Sequence, residues 1–126
     1  MLKIRKEQEE ALRLAATKRF INDMVVQVRN HFDETKNGKS EKDAKEYVLK
    51  AIERAKKHNL TKEADLIKYI ELTLMYGLEF DKNADLLWMS EIILDKDDPN
   101  PGNRINRLYK ESLKRKKEEQ MDLRKQ

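Results

Sequence analysis

An acidic run in the third quarter of the chain, DKNADL at residues 81 to 86, has part of the spacing of a calcium loop. Asp81, Asn83 and Asp85 occupy the first, third and fifth positions, where an EF-hand-like loop places oxygen ligands. The sixth position is Leu86, where the turn needs glycine, and the twelfth is Ile92, where a bidentate glutamate is required. The pattern therefore predicts no metal site, and it favours helix capping by Asp81 or Asn83.

The two histidines, His31 and His58, have no neighbouring ligands with the spacing that zinc requires. Both fall near the ends of predicted helices, where we expect them to be solvated or favoured by the helix dipole. The hydroxyl side chains lack a nucleophile elbow or triad signature, and three glycines are too few for a phosphate-cradling loop. The sequence therefore predicts no catalytic residue, no cofactor and no metal, and an enzyme is not expected.

The C-terminal segment carries a cluster of cations, Lys110 with Lys114 to Lys117, that could contact the phosphates of a nucleic acid. Glu111, Glu118 and Glu119 dilute this cluster, and no aromatic residues are interleaved with it. A solvated helix face is the simpler interpretation. A nucleic-acid-binding helical domain that uses this basic segment is the alternative function.

The stretch YIELTLMYGLEFDKNADLLWMSEIIL, residues 69 to 94, holds half of the aromatic residues in a chain that is 41% charged. Residues 61 to 100 contain 4 Lys/Arg against 10 Asp/Glu, while residues 1 to 60 contain 15 against 10 and residues 101 to 126 contain 9 against 4. The aromatic segment is therefore also the acidic one. It can be a helical core, or a surface that binds a basic protein, because aromatic side chains anchor interfaces and opposite charge steers association. The candidate partner-binding residues are Tyr76, Phe80, Asp81, Asp85 and Trp88.

The spacing of apolar residues predicts an all-α fold, a bundle of about five helices with a long N-terminal helix. Ser40 is expected to cap the second helix, Gly77 to end the third, and the Pro-rich DKDDPNPGN to interrupt helical structure before Arg104. In the fourth helix, Leu87, Trp88 and Ile92 are expected to face inward, with Leu86, Ile93 and Leu94 as further candidates. The predicted helices span about 4–32, 40–59, 62–77, 84–94 and 104 onwards, with one domain at 1–113 and a charged tail at 114–126 that frays or projects.

Length and composition limit the class of protein. A chain of 126 residues is the size of one domain, and an apolar fraction of 38% predicts a thin core that a partner or a second copy could complete. The chain has no cysteine, which fits a reducing compartment. It has neither the apolar run of a signal peptide nor a membrane-spanning window, so a cytoplasmic protein is expected.

Four stretches carry a resemblance to a known family: IRKEQEEAL near the start, Phe20 and Met24 followed by VRNHF, the aromatic stretch itself, and PGNRINRLY. Together they resemble a family of short helical bacterial proteins that are commonly encoded beside type VI secretion effector and spike genes. The resemblance implies an accessory protein of a secreted toxin system: an immunity protein, an adaptor or chaperone, or a co-effector. It implies a toxin effector or spike protein as the partner, and it implies no catalytic residues.

Overall fold

The computed structural model describes the backbone of residues 2–34 and 38–125 and the side chains of residues 17–34 and 38–121. The side chains of IRKEQEEAL therefore lie outside the described part. Five α-helices are present in the described residues: α1 (Leu2–Glu34), α2 (Glu41–Lys57), α3 (Glu63–Tyr76), α4 (Leu87–Ile93) and α5 (Pro101–Lys125). Two short 3-10 turns, Phe80–Lys82 and Ala84–Leu86, lie between α3 and α4, and the described residues contain no strand. The predicted all-α fold of about five helices is confirmed.

Residues 1–49 form the first of two compact units. Apolar side chains of α1 recur at helical spacing, and of those described Phe20, Met24, Val25 and Val28 are buried, while Ile21 and Phe32 are half-buried. The start of α2 buries Ala44 and Val48, four residues apart on one helix face. Phe32 meets the edge of Tyr47 at 5.7 Å between ring centroids, and Lys39 lies 4.6 Å above the Phe32 ring. The Phe32–Tyr47 contact joins the last turn of α1 to α2.

Residues 50–126 form the second unit, in which α5 packs against both α3 and α4. Helix α3 packs against α5, while α4 packs against α5 and against the turn at Phe80. Polar side chains also join α3 to α5, because Tyr109 donates its hydroxyl hydrogen to Glu71 and Lys68 lies 2.9 Å from the Asn106 amide oxygen. The core consists of side chains that are almost fully buried: Leu60, Tyr69, Ile70, Leu72, Phe80, Met89, Ile93, Ile105 and Leu108.

Local sequence signals explain several of the helix ends. Ser40 caps α2, as predicted, by accepting the backbone N–H of Asp43 at 3.1 Å. Asn59 ends the same helix with a positive φ of 62°, and the N–H of Leu60 reaches back to the carbonyl of Ala55 at 3.1 Å. Gly77 follows α3 with a φ of 102°, which side chains with a Cβ rarely adopt, and its N–H bonds to the carbonyl of Thr73.

Helix α5 begins at Pro101, three residues before the start that the sequence predicted. The side chain of Asn100 accepts the backbone N–H of Gly102 at 2.9 Å, which is the geometry of an N-cap. Proline at the first helical position costs no hydrogen bond, because an N–H at that position would have no partner within the helix. The expectation that PNPGN excludes helix was therefore wrong at its C-terminal end. The helix continues through the predicted tail to Lys125.

Candidate functional site

Tyr76 and Trp88 meet at the surface of the second unit. Tyr76 is the last residue of α3 and Trp88 is the second residue of α4, and both are half-buried. Their rings pack edge to face with centroids 5.8 Å apart and an interplanar angle of 84°. The guanidinium carbon of Arg115, from α5, lies 4.1 Å from the centroid of the Trp88 ring. Three helices therefore bring two aromatic rings and one cation together.

A shallow groove of about 260 Å³ opens beside these rings. Its remaining walls are Leu86, Glu118 and Glu119, so carboxylates stand opposite the aromatic surface. Burial and the negative charge of Glu119 raise the pKa of the Tyr76 phenol, while Arg115 opposes this shift. The Tyr76 hydroxyl therefore keeps its proton at neutral pH, where it can donate a hydrogen bond to a ligand in the groove.

Exposed leucines on α4 extend this surface. Leu87 is 60% exposed and Leu94 is 58% exposed, although the sequence predicted that Leu87 faces inward and made Leu94 a further inward candidate. Leu87 and Glu91 lie four residues apart on one face of α4, and Leu94 directly follows the last residue of the helix, Ile93. Asp85 is exposed just before α4, with its backbone N–H bound to the capping oxygen of Asn83 at 2.9 Å. We name Tyr76, Asp85, Leu87, Trp88, Glu91 and Leu94 the aromatic–acidic surface.

Phe80 and Asp81, which the sequence grouped with this surface, lie inside the second unit instead. Phe80 is fully buried, and its ring lies 5.2 Å from that of Tyr69. The Asp81 side chain is only 11% exposed, and it accepts a hydrogen bond from Arg54 and contacts the Nε2 atom of His58 at 2.9 Å. In the folded protein a partner cannot contact the Phe80 side chain, and only a small part of the Asp81 side chain is accessible. Both residues hold the loop between α3 and α4 in place.

Arg54, His58, Tyr69 and Asp81 form a polar cluster, which we name the Asp81 cluster. Burial alone would raise the pKa of the Asp81 carboxyl, but hydrogen bonds from His58 and Arg54 outweigh it and hold that pKa below its ordinary value. Burial, followed by the nearby charge of Asp81, raises the pKa of Tyr69 to about 12. The cluster therefore contains an ionised carboxylate between two side chains from the end of α2, beside a protonated phenol.

His58 has partners that the sequence does not predict. The sequence predicts a histidine that is solvated or favoured by the dipole at a helix end, whereas His58, directly after α2, is buried and hydrogen-bonded to Asp81. Its partner is 23 residues away in the chain, and Arg54 is 27 residues from Asp81. Periodicity and capping rules report only near neighbours, so no local signal connects these residues.

The Asp81 cluster predicts how stability depends on pH. The pKa of Asp81 is lower in the folded protein than in the unfolded chain, so its contribution to stability is present above the unfolded pKa of about 3.9 and is lost as pH falls through the folded value. Between about pH 5 and pH 2, the difference in free energy of unfolding between the wild type and Asp81→Asn should shrink. Urea titrations of both proteins at several pH values measure this difference in free energy of unfolding. The same comparison with Asp85→Asn should show little change, and an equal slope for both would exclude the assignment to Asp81.

Other chemistry has no organised site in the described part of the chain. Among the described residues, no group of three or more His, Asp or Glu side chains is placed to hold a metal ion. The residues at the calcium-loop positions have separate interactions. Asp81 pairs with Arg54, and Asn83 caps the turn before α4, as one of the capping alternatives predicted. Within the described ranges, no helix combines the length and the apolar character that crossing a membrane needs.

The fold is all-α, and its second unit has an internal polar cluster and a separate aromatic–acidic surface. No protein-family model, curated protein or solved structure matches this chain. The structural basis for a function is therefore the chemistry of the surface itself.

Proposed function

We propose that this protein is a non-enzymatic, protein-binding accessory component of a bacterial toxin or type VI secretion effector system, acting in the cytoplasm as an immunity protein or as an effector adaptor or chaperone. The family resemblance described above supports the biological setting. The aromatic–acidic surface supports the mode of action. The partner is a toxin effector or spike protein that presents a basic, partly apolar surface.

The observation that carries the proposal is the exposure of apolar side chains beside a half-buried tryptophan. Leu87, at the start of α4, and Leu94, directly after its end, are more than half exposed, whereas Met89 and Ile93 of the same helix are buried. Trp88, which follows Leu87 in the chain, and Tyr76 add a packed pair of half-buried rings. Tryptophan and tyrosine are enriched among the residues that contribute most to binding energy, and burial of the leucines would add to it.

The charges around this surface favour a basic partner. Asp85 and Glu91 are exposed on either side of Leu87, and Glu118 and Glu119 line the neighbouring groove. Residues 61 to 100 carry a net charge of −6 from their 4 Lys/Arg and 10 Asp/Glu, in a chain whose total is +4. Such a patch raises the rate of association with a positively charged surface and rejects acidic proteins. Binding would then act either by occluding a toxin or by holding it for delivery.

Capture of the neighbouring effector or spike protein tests the surface. Leu94→Ser should weaken capture about tenfold, because a loss of about 1.4 kcal/mol at an interface changes affinity by that factor. Val26→Ser is the matched control, since Val26 is exposed to the same extent, 58%, but lies in the first unit. Affinity is measured with the co-expressed, purified partner. Equal affinities for the two variants would reject the aromatic–acidic surface as the binding site.

The charge part of the same proposal is tested by Asp85→Lys and Glu91→Lys, which should slow association and reduce its dependence on salt. Asp81 is unsuitable for this purpose because its carboxylate is bound within the Asp81 cluster. Co-expression with the product of the adjacent gene then separates the two roles. Rescue from toxicity identifies an immunity protein, whereas improved solubility or loading without rescue identifies an adaptor.

A further inference from the structure

The groove beside Trp88 already contains a cation from the protein itself. The guanidinium of Arg115 lies over the Trp88 ring, and its Nε atom donates to the Glu111 carboxylate at 3.1 Å. The Arg115 side chain nevertheless remains 44% exposed. Tyr76 meets the edge of the same indole, so the aromatic walls and the cation form one arrangement. A guanidinium bound to a tryptophan face and accessible to solvent is a contact that another guanidinium can replace.

The carboxylates of the groove exceed what Arg115 neutralises. Glu118 and Glu119 both line it, and neither forms an ion pair with any described residue. With Arg115 present, the three charged groups lining the groove sum to −1, and the groove would carry −2 if Arg115 moved away. The site therefore combines a tryptophan face, a tyrosine hydroxyl and two carboxylates, which together suit a planar cation.

Resting on the protein-binding function above, we propose that this groove binds an arginine side chain of the protein partner and that Arg115 occupies the same place in the free protein. Arginine fits better than lysine because its flat guanidinium stacks on an aromatic ring while its N–H groups still reach carboxylates. Arg115 is an intramolecular competitor. Binding of the partner requires it to leave the Trp88 face.

The spacing of charged residues on α5 allows Arg115 to leave the Trp88 face. Glu111, Arg115 and Glu119 are spaced by four residues in α5, so they lie along one face of the helix. Arg115 can keep its bond to Glu111 and turn its guanidinium away from Trp88 without losing charge pairing. The partner's arginine then stacks on Trp88 beside Glu118 and Glu119. Occupation of the groove by Arg115 lowers the apparent affinity for the partner's arginine, because only the fraction of molecules with a free groove can bind it.

Trp88 is the only tryptophan in the chain, so its fluorescence reports on this groove directly. The probes are three capped peptides, Gly-Gly-Arg-Gly-Gly and the same peptide with lysine or with the uncharged citrulline in place of arginine. The full-length wild type is compared with Arg115→Ala and with Arg115→Gln, which keeps most of the side-chain stem. Lys114→Ala is the matched control, because it removes one positive charge from the neighbouring, exposed position. Circular dichroism verifies that each variant is folded.

We expect the arginine peptide to change Trp88 fluorescence and to bind both Arg115 variants about three- to tenfold more tightly than the wild type, as removal of an occupant present in most molecules requires. Lys114→Ala should bind like the wild type, lysine should bind more weakly than arginine, and citrulline should not bind. Equal affinity of the Arg115 variants and Lys114→Ala, equal binding of citrulline, or no fluorescence response in any variant would overturn the inference.

These outcomes are separate from those that test the proposed function. If the arginine peptide fails to bind but Leu94→Ser still weakens capture of the protein partner, this inference is wrong and the protein-binding function stands. If the peptide binds as expected but no effector or spike protein is captured, the groove is real and the proposed partner is wrong.

Discussion

Replacing Asp81 with alanine should lower the free energy of unfolding by about 3 kcal/mol, because it leaves the guanidinium of Arg54 without its main partner. The Arg54 side chain is mostly shielded from solvent, and its remaining carboxylate contact is Glu79 at 3.9 Å. His58 loses its hydrogen bond to the same carboxylate. Urea unfolding followed by far-UV circular dichroism measures the change. Asp81→Asn should cost less, since an amide can still accept one hydrogen bond but carries no charge.

Asp85→Ala provides the control for this prediction. Asp85 lies four residues further along the same loop and loses the same charge on substitution, but its side chain is exposed. The turn before α4 is capped by Asn83 and not by Asp85, so that cap survives. We expect a change of less than about 0.5 kcal/mol, as for surface positions in general. If Asp81→Ala and Asp85→Ala lowered the free energy of unfolding equally, the Asp81 cluster would contribute no more to stability than an exposed carboxylate does.

Replacing Phe80 with alanine should have the largest effect of any single change considered, about 3–5 kcal/mol. Phe80 is fully buried against Tyr69, in a 3-10 turn that packs on α4. Truncation removes the apolar contact area of a whole ring and leaves a cavity between elements that only partly relax. The loss compares with the total stability of a typical domain, about 5–15 kcal/mol, so the variant is expected to be partly unfolded at 37 °C.

Leu87→Ala is the comparison that separates folding from binding. Leu87 is exposed at the start of α4, so its truncation should leave the free energy of unfolding nearly unchanged while weakening capture of the partner. Phe80→Ala should lose capture only in proportion to the unfolded fraction. A Phe80→Ala protein that is as stable as Leu87→Ala would contradict the assignment of Phe80 to the core.

The five residues that the sequence grouped as one binding patch therefore divide into two sets with different tests. Tyr76, Asp85 and Trp88 are on the surface and should affect recognition of a partner. Phe80 and Asp81 are inside and should affect stability. A charge reversal that combined Asp81 with Asp85 would mix the two effects, because loss of capture could follow from loss of folding alone.

The sequence by itself determined the helical class and several helix ends. Apolar residues at helical spacing placed Phe20, Met24 and Val28 on one buried face, and a side-chain cap or a residue with positive φ marked the ends at Ser40 and Gly77. These signals are local, because a helix repeats every 3.6 residues and its caps act within one turn. The early start of α5 also has a local signal, because Asn100 provides a cap and Pro101 suits the first helical position. The same prolines predict an interruption of the helix, so the local sequence alone does not fix this boundary.

Only the tertiary structure decided which apolar residues of the fourth helix face outward. The segment from Leu86 to Leu94 is apolar on nearly all sides, so its periodicity does not select a face. The preceding 3-10 turn and the contacts with α5 set its rotation, burying Met89 and Ile93 and exposing Leu87. The pairing of Asp81 with Arg54 and His58, and of Arg115 with Trp88, likewise joins residues more than 20 positions apart. Such pairs form when whole helices pack, because their energy depends on distances in space that no short stretch of sequence specifies.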